Sequence, residues 1–210
     1  MVRLPGGTFT LGQRRGLETV EPFCVDLTEV TVDAFTACAQ AGKCTTDHVG
    51  ESSADGMTFM ADSACNYGVA SRGNHPMNCV DWEQAATYCK IASKRLPSEE
   101  EWEWAARGGS SGTAYPWGNA AADSQPCWMG VTKRSGTCPV GSNPTGDAPS
   151  GVHDLMGNVW EWTASSHDPS TRIARGGGWS TFLTAHLGAV VRNWRPPLER
   201  VNSLGFRCVR

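Results

Sequence analysis

The chain has 210 residues and a formal net charge of −3, a length that suits one domain spanning 1–210 and leaves two domains cramped. That charge supplies no global basic field, which argues against nucleic acid as a partner, and no apolar run approaches the roughly 18 residues needed for a transmembrane segment. With 24 Gly, 12 Pro and 9 Trp against 19% charged residues, the composition is that of a loop-rich chain and not of a helical bundle.

Three helices are predicted in chain order. The first lies within residues 31–44, where Thr31 can cap, Ala34, Phe35, Cys38 and Ala39 recur at helical spacing, and Gly42 stands where a terminating glycine belongs. A second runs through VDWEQAATYCKIASK, with Asp81 placed to cap and Trp82, Ala85, Ala86, Cys89 and Ala92 on one stripe, so Cys89 faces the core. The third opens at Ser98, with Glu101 in capping-box register, carries Trp102, Ala105 and Ala106 on one face and ends at Gly108 and Gly109. From Gly109 to about residue 170 turn formers arrive every few residues, and an irregular stretch is predicted. TRIARGGGWST and SLGFRCVR read as short strands, the first interrupted by three glycines that signal a bulge or a close backbone approach. There is no internal repeat, and the expected class is α+β.

Nine cysteines, Cys24, Cys38, Cys44, Cys65, Cys79, Cys89, Cys127, Cys138 and Cys208, occur without a CxxC pair. A zinc ribbon or thioredoxin-type site is therefore not expected, and disulfides made in an oxidising compartment are. The odd number leaves one cysteine unpaired or bridged to another chain. MVRLPGGTFTLGQ lacks the apolar region of a signal peptide. The chain is thus read as either cytoplasmic or trimmed from a longer exported protein, and its cysteines favour an extracytoplasmic or secreted one.

Taken in order, LPGGTFTLG, EVTVDAF, HPMNCVDWEQAATYC, KRLPSEEEWEWAARGG, YPWGN, PVGSNPTGDAPSGVHDLMGNVWEWT, RGGGWS and SLGFRC resemble the formylglycine-generating enzyme family, the sulfatase-modifying-factor domain. The resemblance covers essentially the whole chain. It implies a variant of the C-type lectin fold, with few short helices and small antiparallel sheets. It also implies a calcium site built from the carboxylates of Asp154 and Glu161 and the main-chain carbonyls of Gly157 and Val159, which suits the hard oxygen ligands that calcium takes. The other reading of Glu161, wedged between Trp160 and Trp162, is that it accepts hydrogen bonds from backbone amides or an arginine. A second family calcium site would lie near QPCWMGVTKRSGTCP, but Pro126 stands where a side-chain oxygen is expected, and that site is read as absent. Cys89 and Cys208 match a disulfide of the family. Cys127 and Cys138 bracket a short loop and are read as bridged. Cys38 with Cys44 follows local spacing and Cys65 with Cys79 follows by elimination, which leaves Cys24.

Enzymatic members of the family hold copper with two cysteines five residues apart, after the block equivalent to RGGGWS. Here no cysteine lies between Gly176 and Arg207, and Thr181 and His186 fall at the two places. A hydroxyl and one imidazole are not the soft ligands Cu(I) needs, so no copper and no formylglycine generation are expected. The reading is a non-catalytic binding module. The alternative is an oxidase of altered chemistry using Thr181 and His186 on another metal. The recognition surface is placed at the C-terminal segment, on Trp179, Phe182, His186, Arg192, Trp194 and Arg195. The partner expected there is a protein, a peptide or an anionic small ligand, because residues 171–210 are rich in arginine although the chain is acidic. Those arginines can instead pair with carboxylates of the fold.

Overall fold

The structure, a computed structural model, describes residues 1–12, 16–130 and 133–210. Short N-terminal strands β1 (Val2–Leu4), β2 (Gly7–Thr10), β3 (Leu17–Val20) and β4 (Phe23–Val25) precede helix α1 (Val32–Gln40). Strands β5 (Glu51–Ser52) and β6 (Met60–Ala61) form a small hairpin, followed by helices α2 (Trp82–Ile91) and α3 (Glu99–Ala106). The C-terminal half holds β7 (Trp160–Asp168), β8 (Thr171–Arg175), β9 (Arg192–Arg195) and β10 (Leu204–Gly205).

The helices begin where their capping residues stand. The Thr31 hydroxyl accepts the Ala34 amide at 3.2 Å. Asp81 and Gln84 exchange bonds in a reciprocal capping box, as do Ser98 and Glu101, so amides left without intrahelical partners in each first turn are satisfied. Gly42, at φ 69°, takes the left-handed conformation that follows the end of α1.

The central sheet runs β10-β7-β8-β9, with β10 parallel to β7 and the other pairs antiparallel. The remaining pairs, β1-β4, β2-β3 and β5-β6, are separate two-stranded antiparallel sheets. Alternation along the central strands sends Trp160, Trp162 and Ala174 into a core with Phe35, Ala85 and Cys89 of α1 and α2. The opposite face receives α3. Trp102 of that helix joins Leu4, Phe9, Phe23, Leu155 and Leu187 in a second core. One cross-strand row on the α3 side is charged: Glu161 lies opposite Arg175, which lies opposite Arg192. Each has a carboxylate or guanidinium partner, Arg175 with Glu103, Arg192 with Glu99 and Glu161 with Arg207.

The stretch predicted as irregular up to residue 170 instead contains β7, the longest strand. Its first four residues are all buried, because helices cover both faces, so the alternation that marks a half-exposed strand is missing. Strands β1 to β4 and β9 have only three or four residues each and give little periodic signal. The predicted glycine break is where the sequence put it. A side chain at Gly176 would meet the Leu155 carbonyl at 3.0 Å and the Trp102 ring at 3.1 Å.

Disulfides join Cys38 to Cys44, Cys65 to Cys79, Cys89 to Cys208 and Cys127 to Cys138, and Cys24 is free. Cys24 exchanges two backbone hydrogen bonds with Arg210, at 2.7 and 2.8 Å, which seats the C-terminus on β4.

Candidate functional site

Residues 154–161 form a tight turn leading into β7. Asp154, Gly157 and Asn158 all have positive φ, at 54°, 81° and 54°, and a side chain at Gly157 would come within 2.6 Å of the Cys127 carbonyl. That carbonyl accepts the Asn158 amide at 2.8 Å, while the Cys138 amide donates to Asn158 Oδ1 at 3.0 Å. The Cys127–Cys138 bridge therefore holds the turn through both of its ends.

Glu161 is fully buried and has its partner within the protein. Arg207 Nε donates to Glu161 Oε2 and Arg207 Nη2 to Oε1, each at 2.7 Å, and Trp102 Nε1 donates to Oε2 at 2.8 Å. Arg207 spends further donors on the carbonyls of Asp26, Leu27 and His153. Burial acting alone would lower the Arg207 guanidinium, but the carboxylates around it, Glu161 foremost with Glu29 and Asp154, together outweigh burial and hold Arg207 above its ordinary value.

Two further carboxylates stand near this pair. Asp154 accepts the Gly141 amide at 2.5 Å; burial raises its pKa and that hydrogen bond opposes the rise. Glu29 is 1% exposed, and neither of its carboxylate oxygens has a hydrogen-bond partner among the described residues. Burial, reinforced by the charge of Asp154, pushes Glu29 well above the usual carboxylate range, with Arg207 acting against it. Sequence reasoning missed Glu29. Its only signal was a glutamate in EVTVDAF beside apolar residues, which gives no hint of contact with a turn more than a hundred residues away.

The residues expected to hold calcium fit that ion in donor type. Glu161 Oε1 takes one donor and keeps a lone pair. Asp154 Oδ1 accepts no side-chain or backbone donor, and the carbonyls of Gly157 and Val159 go unused in the loop hydrogen bonding, all among the described residues. All four are hard oxygen donors. In the stretch read as lacking a second calcium site, Val131 and Thr132 lie outside the described residues.

The C-terminal segment does not present the cationic face expected of it. Arg192 is bound to Glu99 through two contacts, at 2.5 and 2.6 Å, and Arg195 to Glu199 at 2.7 Å. Arg200 pairs with Asp81, and Arg175 with Glu103. Five of the seven arginines of residues 171–210 thus meet carboxylates, from the N-cap of α2, from α3, from β7 and from the segment itself, while Arg172 lies over the Trp82 ring. Trp179 is 8% exposed, with its indole N–H on the Asn202 carbonyl at 3.0 Å, so it fills core. Phe182 is 66% exposed, and Trp194, 53% exposed, stacks on His167 with ring centroids 4.3 Å apart.

A family profile described as "Sulfatase-modifying factor enzyme 1-like domain" matches residues 1–210. The chain belongs to that family. It is 31% identical over 265 residues to a Mus musculus protein named "Inactive C-alpha-formylglycine-generating enzyme 2", covering 99% of this chain and 84% of the relative. It is 30% identical over 276 residues to the "Formylglycine-generating enzyme" of Streptomyces coelicolor, covering 99% and 88%. Among solved structures, PvdO from Pseudomonas aeruginosa superposes with a TM-score of 0.78 at 24% identity, over 99% of this chain and 92% of that one. The fold is accordingly the C-type-lectin-like one of this family.

Relatives named formylglycine-generating enzyme and relatives named inactive match the chain at similar identity, so its own residues must decide what a sulfatase-modifying-factor domain can do here. Thr181 is 8% exposed, and its hydroxyl accepts the Gly178 amide at 3.1 Å, closing a small turn. His186 is exposed and ends the 3-10 turn Thr184–His186. Eight cysteines are consumed in disulfides, and Cys24 lies on β4. No two thiols are available to form the soft donor pair that Cu(I) requires, and the hydroxyl of Thr181 and the imidazole of His186, expected from the resemblance at the copper places, are not such donors.

Proposed function

We propose that the chain is a catalytically silent sulfatase-modifying-factor domain that works as a binding module in an extracytoplasmic setting. The observation that carries this reading is the lack of a thiol pair: no cysteine lies between Gly176 and Arg207, and only Cys24 is outside a disulfide, while the resemblance puts Thr181, whose hydroxyl accepts the Gly178 amide, and His186 at the two copper places. Four disulfides support formation in an oxidising compartment. The recognition surface we assign is the exposed apolar part of the C-terminal segment, Phe182 with Trp194. Because Arg192 and Arg195 are neutralised by Glu99 and Glu199, a protein or peptide suits that surface better than an anionic small ligand.

The reading is tested by incubating the copper-supplemented, disulfide-intact protein with a cysteine-containing sulfatase peptide under oxygen. Oxygen uptake and peptide mass should both match a no-protein blank. Aldehyde formation above that blank would overturn the assignment.

We further propose that calcium serves the turn at residues 154–161 as a structural ion held by Asp154, Gly157, Val159 and Glu161. What supports it is the crowding of three buried carboxyl groups, Glu29, Asp154 and Glu161, around the single guanidinium of Arg207, where burial disfavours the charged forms of Glu29 and Asp154, a cost that a divalent cation would offset. Free calcium a hundredfold above its dissociation constant stabilises by about 2.7 kcal/mol. A chelator should therefore lower the melting temperature by about 5 to 10 °C, at roughly 2 to 4 °C per kcal/mol for a domain of this size. Asp154→Asn should remove most of that difference. Equal melting of wild type with and without chelator would count against the ion.

A further inference from the structure

On the side of the molecule built from β1, the end of α3 and the loops around residues 111–118 and 147–150 lies a cavity of about 650 Å³. It falls within the 300 to 1,000 Å³ range typical of small-molecule sites. Its walls include Leu4, the indoles of Trp104 and Trp117, and Pro149. Neither Thr181 nor His186 lines it, nor does any residue of the turn at 154–161.

Two features make this cavity more than a gap in packing. The aromatic wall is fixed before any ligand arrives. Trp104 is pinned by its N–H on the Pro5 carbonyl at 2.8 Å and by an edge contact with Phe9, and Trp117 by its N–H on the Ala120 carbonyl at 3.0 Å and by stacking on Tyr115, centroids 4.8 Å apart. Both indole donors are thereby used up, so the rings offer π-faces and not hydrogen bonds. The polar wall, by contrast, is unfinished. Asp147 holds His153 Nδ1 through Oδ2 at 2.7 Å, but its Oδ1 and the hydroxyl of Ser150, just beneath the cavity surface, have no hydrogen-bond partner among the described residues. Buried polar atoms without partners are costly to keep, and both of these belong to residues that line the cavity.

We propose that this cavity is a binding site for a small organic cation, a protonated amine carried on an apolar or aromatic body. The ammonium would lie against an indole face, which attracts cations through the ring quadrupole, and beside the Asp147 carboxylate, whose Oδ1 would reach it by a turn of the side chain toward the cavity. The apolar body would cover Leu4, Pro149 and the second indole. An anionic ligand meets the Asp147 charge and finds no free cationic side chain among the lining residues, and a neutral one leaves the carboxylate oxygen unmatched. This site is separate from the C-terminal surface, and either assignment can fail without the other.

The test uses 2-phenylethylamine, with 2-phenylethanol as its uncharged analogue and 3-phenylpropionate as its anionic one, titrated calorimetrically into the disulfide-intact protein at neutral pH. Phenylethylamine should bind one to one and at least tenfold more tightly than either analogue. Asp147→Asn should remove that preference, and Trp117→Ala should weaken phenylethylamine at least fivefold. The indole N–H resonances of Trp104 and Trp117 should shift on titration with phenylethylamine, which locates the site in the unmutated protein even where a variant fails to fold. Equal affinity for amine and alcohol, a preference that survives Asp147→Asn, or shifts confined to other tryptophans would each overturn the proposal, as would no binding of the amine up to its solubility limit.

Discussion

Replacing Arg207 by methionine should cost about 3 to 5 kcal/mol of stability, the usual penalty for removing one partner of a fully buried ion pair. At roughly 2 to 4 °C per kcal/mol the melting temperature falls by about 6 to 20 °C. Arg207 and Glu161 are both 0% exposed, so solvent screens neither. The loss reaches beyond Glu161, because Arg207 is also the cation that acts against the raised pKa values of Glu29 and Asp154. Without it three carboxylates share one buried region and must take up protons. A second variant separates charge from packing: Arg207→Met combined with Glu161→Leu removes both charges and should recover a substantial part of the loss, since buried ion pairs replaced by apolar groups are often near neutral. Chemical denaturation of the three proteins reads this directly. A single variant that melts within about 2 °C of wild type would show that the pair does not hold the turn.

Opening the Cys89–Cys208 disulfide should have an effect at least as large. The cysteines are 119 residues apart, and closing a loop of that length removes about 5 kcal/mol worth of chain entropy from the unfolded state. Cys38–Cys44, with a separation of 6, should be worth only about 2 kcal/mol on the same reasoning. Cys89→Ala/Cys208→Ala should therefore unfold at a distinctly lower denaturant concentration than Cys38→Ala/Cys44→Ala. Cys89 and Cys208 are also both fully buried, between α2 and the last strand segment, so the long bridge ties the middle of the chain to the end that supplies Arg207. Equal destabilisation by the two double variants would rule out loop length as the reason.

The sequence by itself determined the features whose causes are local. Thr31, Asp81 and Ser98 each sit one residue before a helix, because a side chain that caps an N-terminus acts within three residues of itself. Ordered motif blocks spread along the whole chain were enough to identify the family, and the missing cysteines between Gly176 and Arg207 were legible as an absent ligand pair. Strand β7 was not legible, since its burial on both faces is imposed by α2 and α3 and leaves no alternation in WEWT. Nor was the fate of the charges. Arginines 175, 192, 195, 200 and 207 looked like a surface for an anion, and only the packing of α2 and α3 against the sheet brought Glu103, Glu99 and Asp81 to meet three of them. Glu161 announced that it needed a partner but not which one. That partner lies 46 residues downstream, and a pairing across such a distance is set by the strand register and by the Cys89–Cys208 bridge, not by any preference written in the residues beside it.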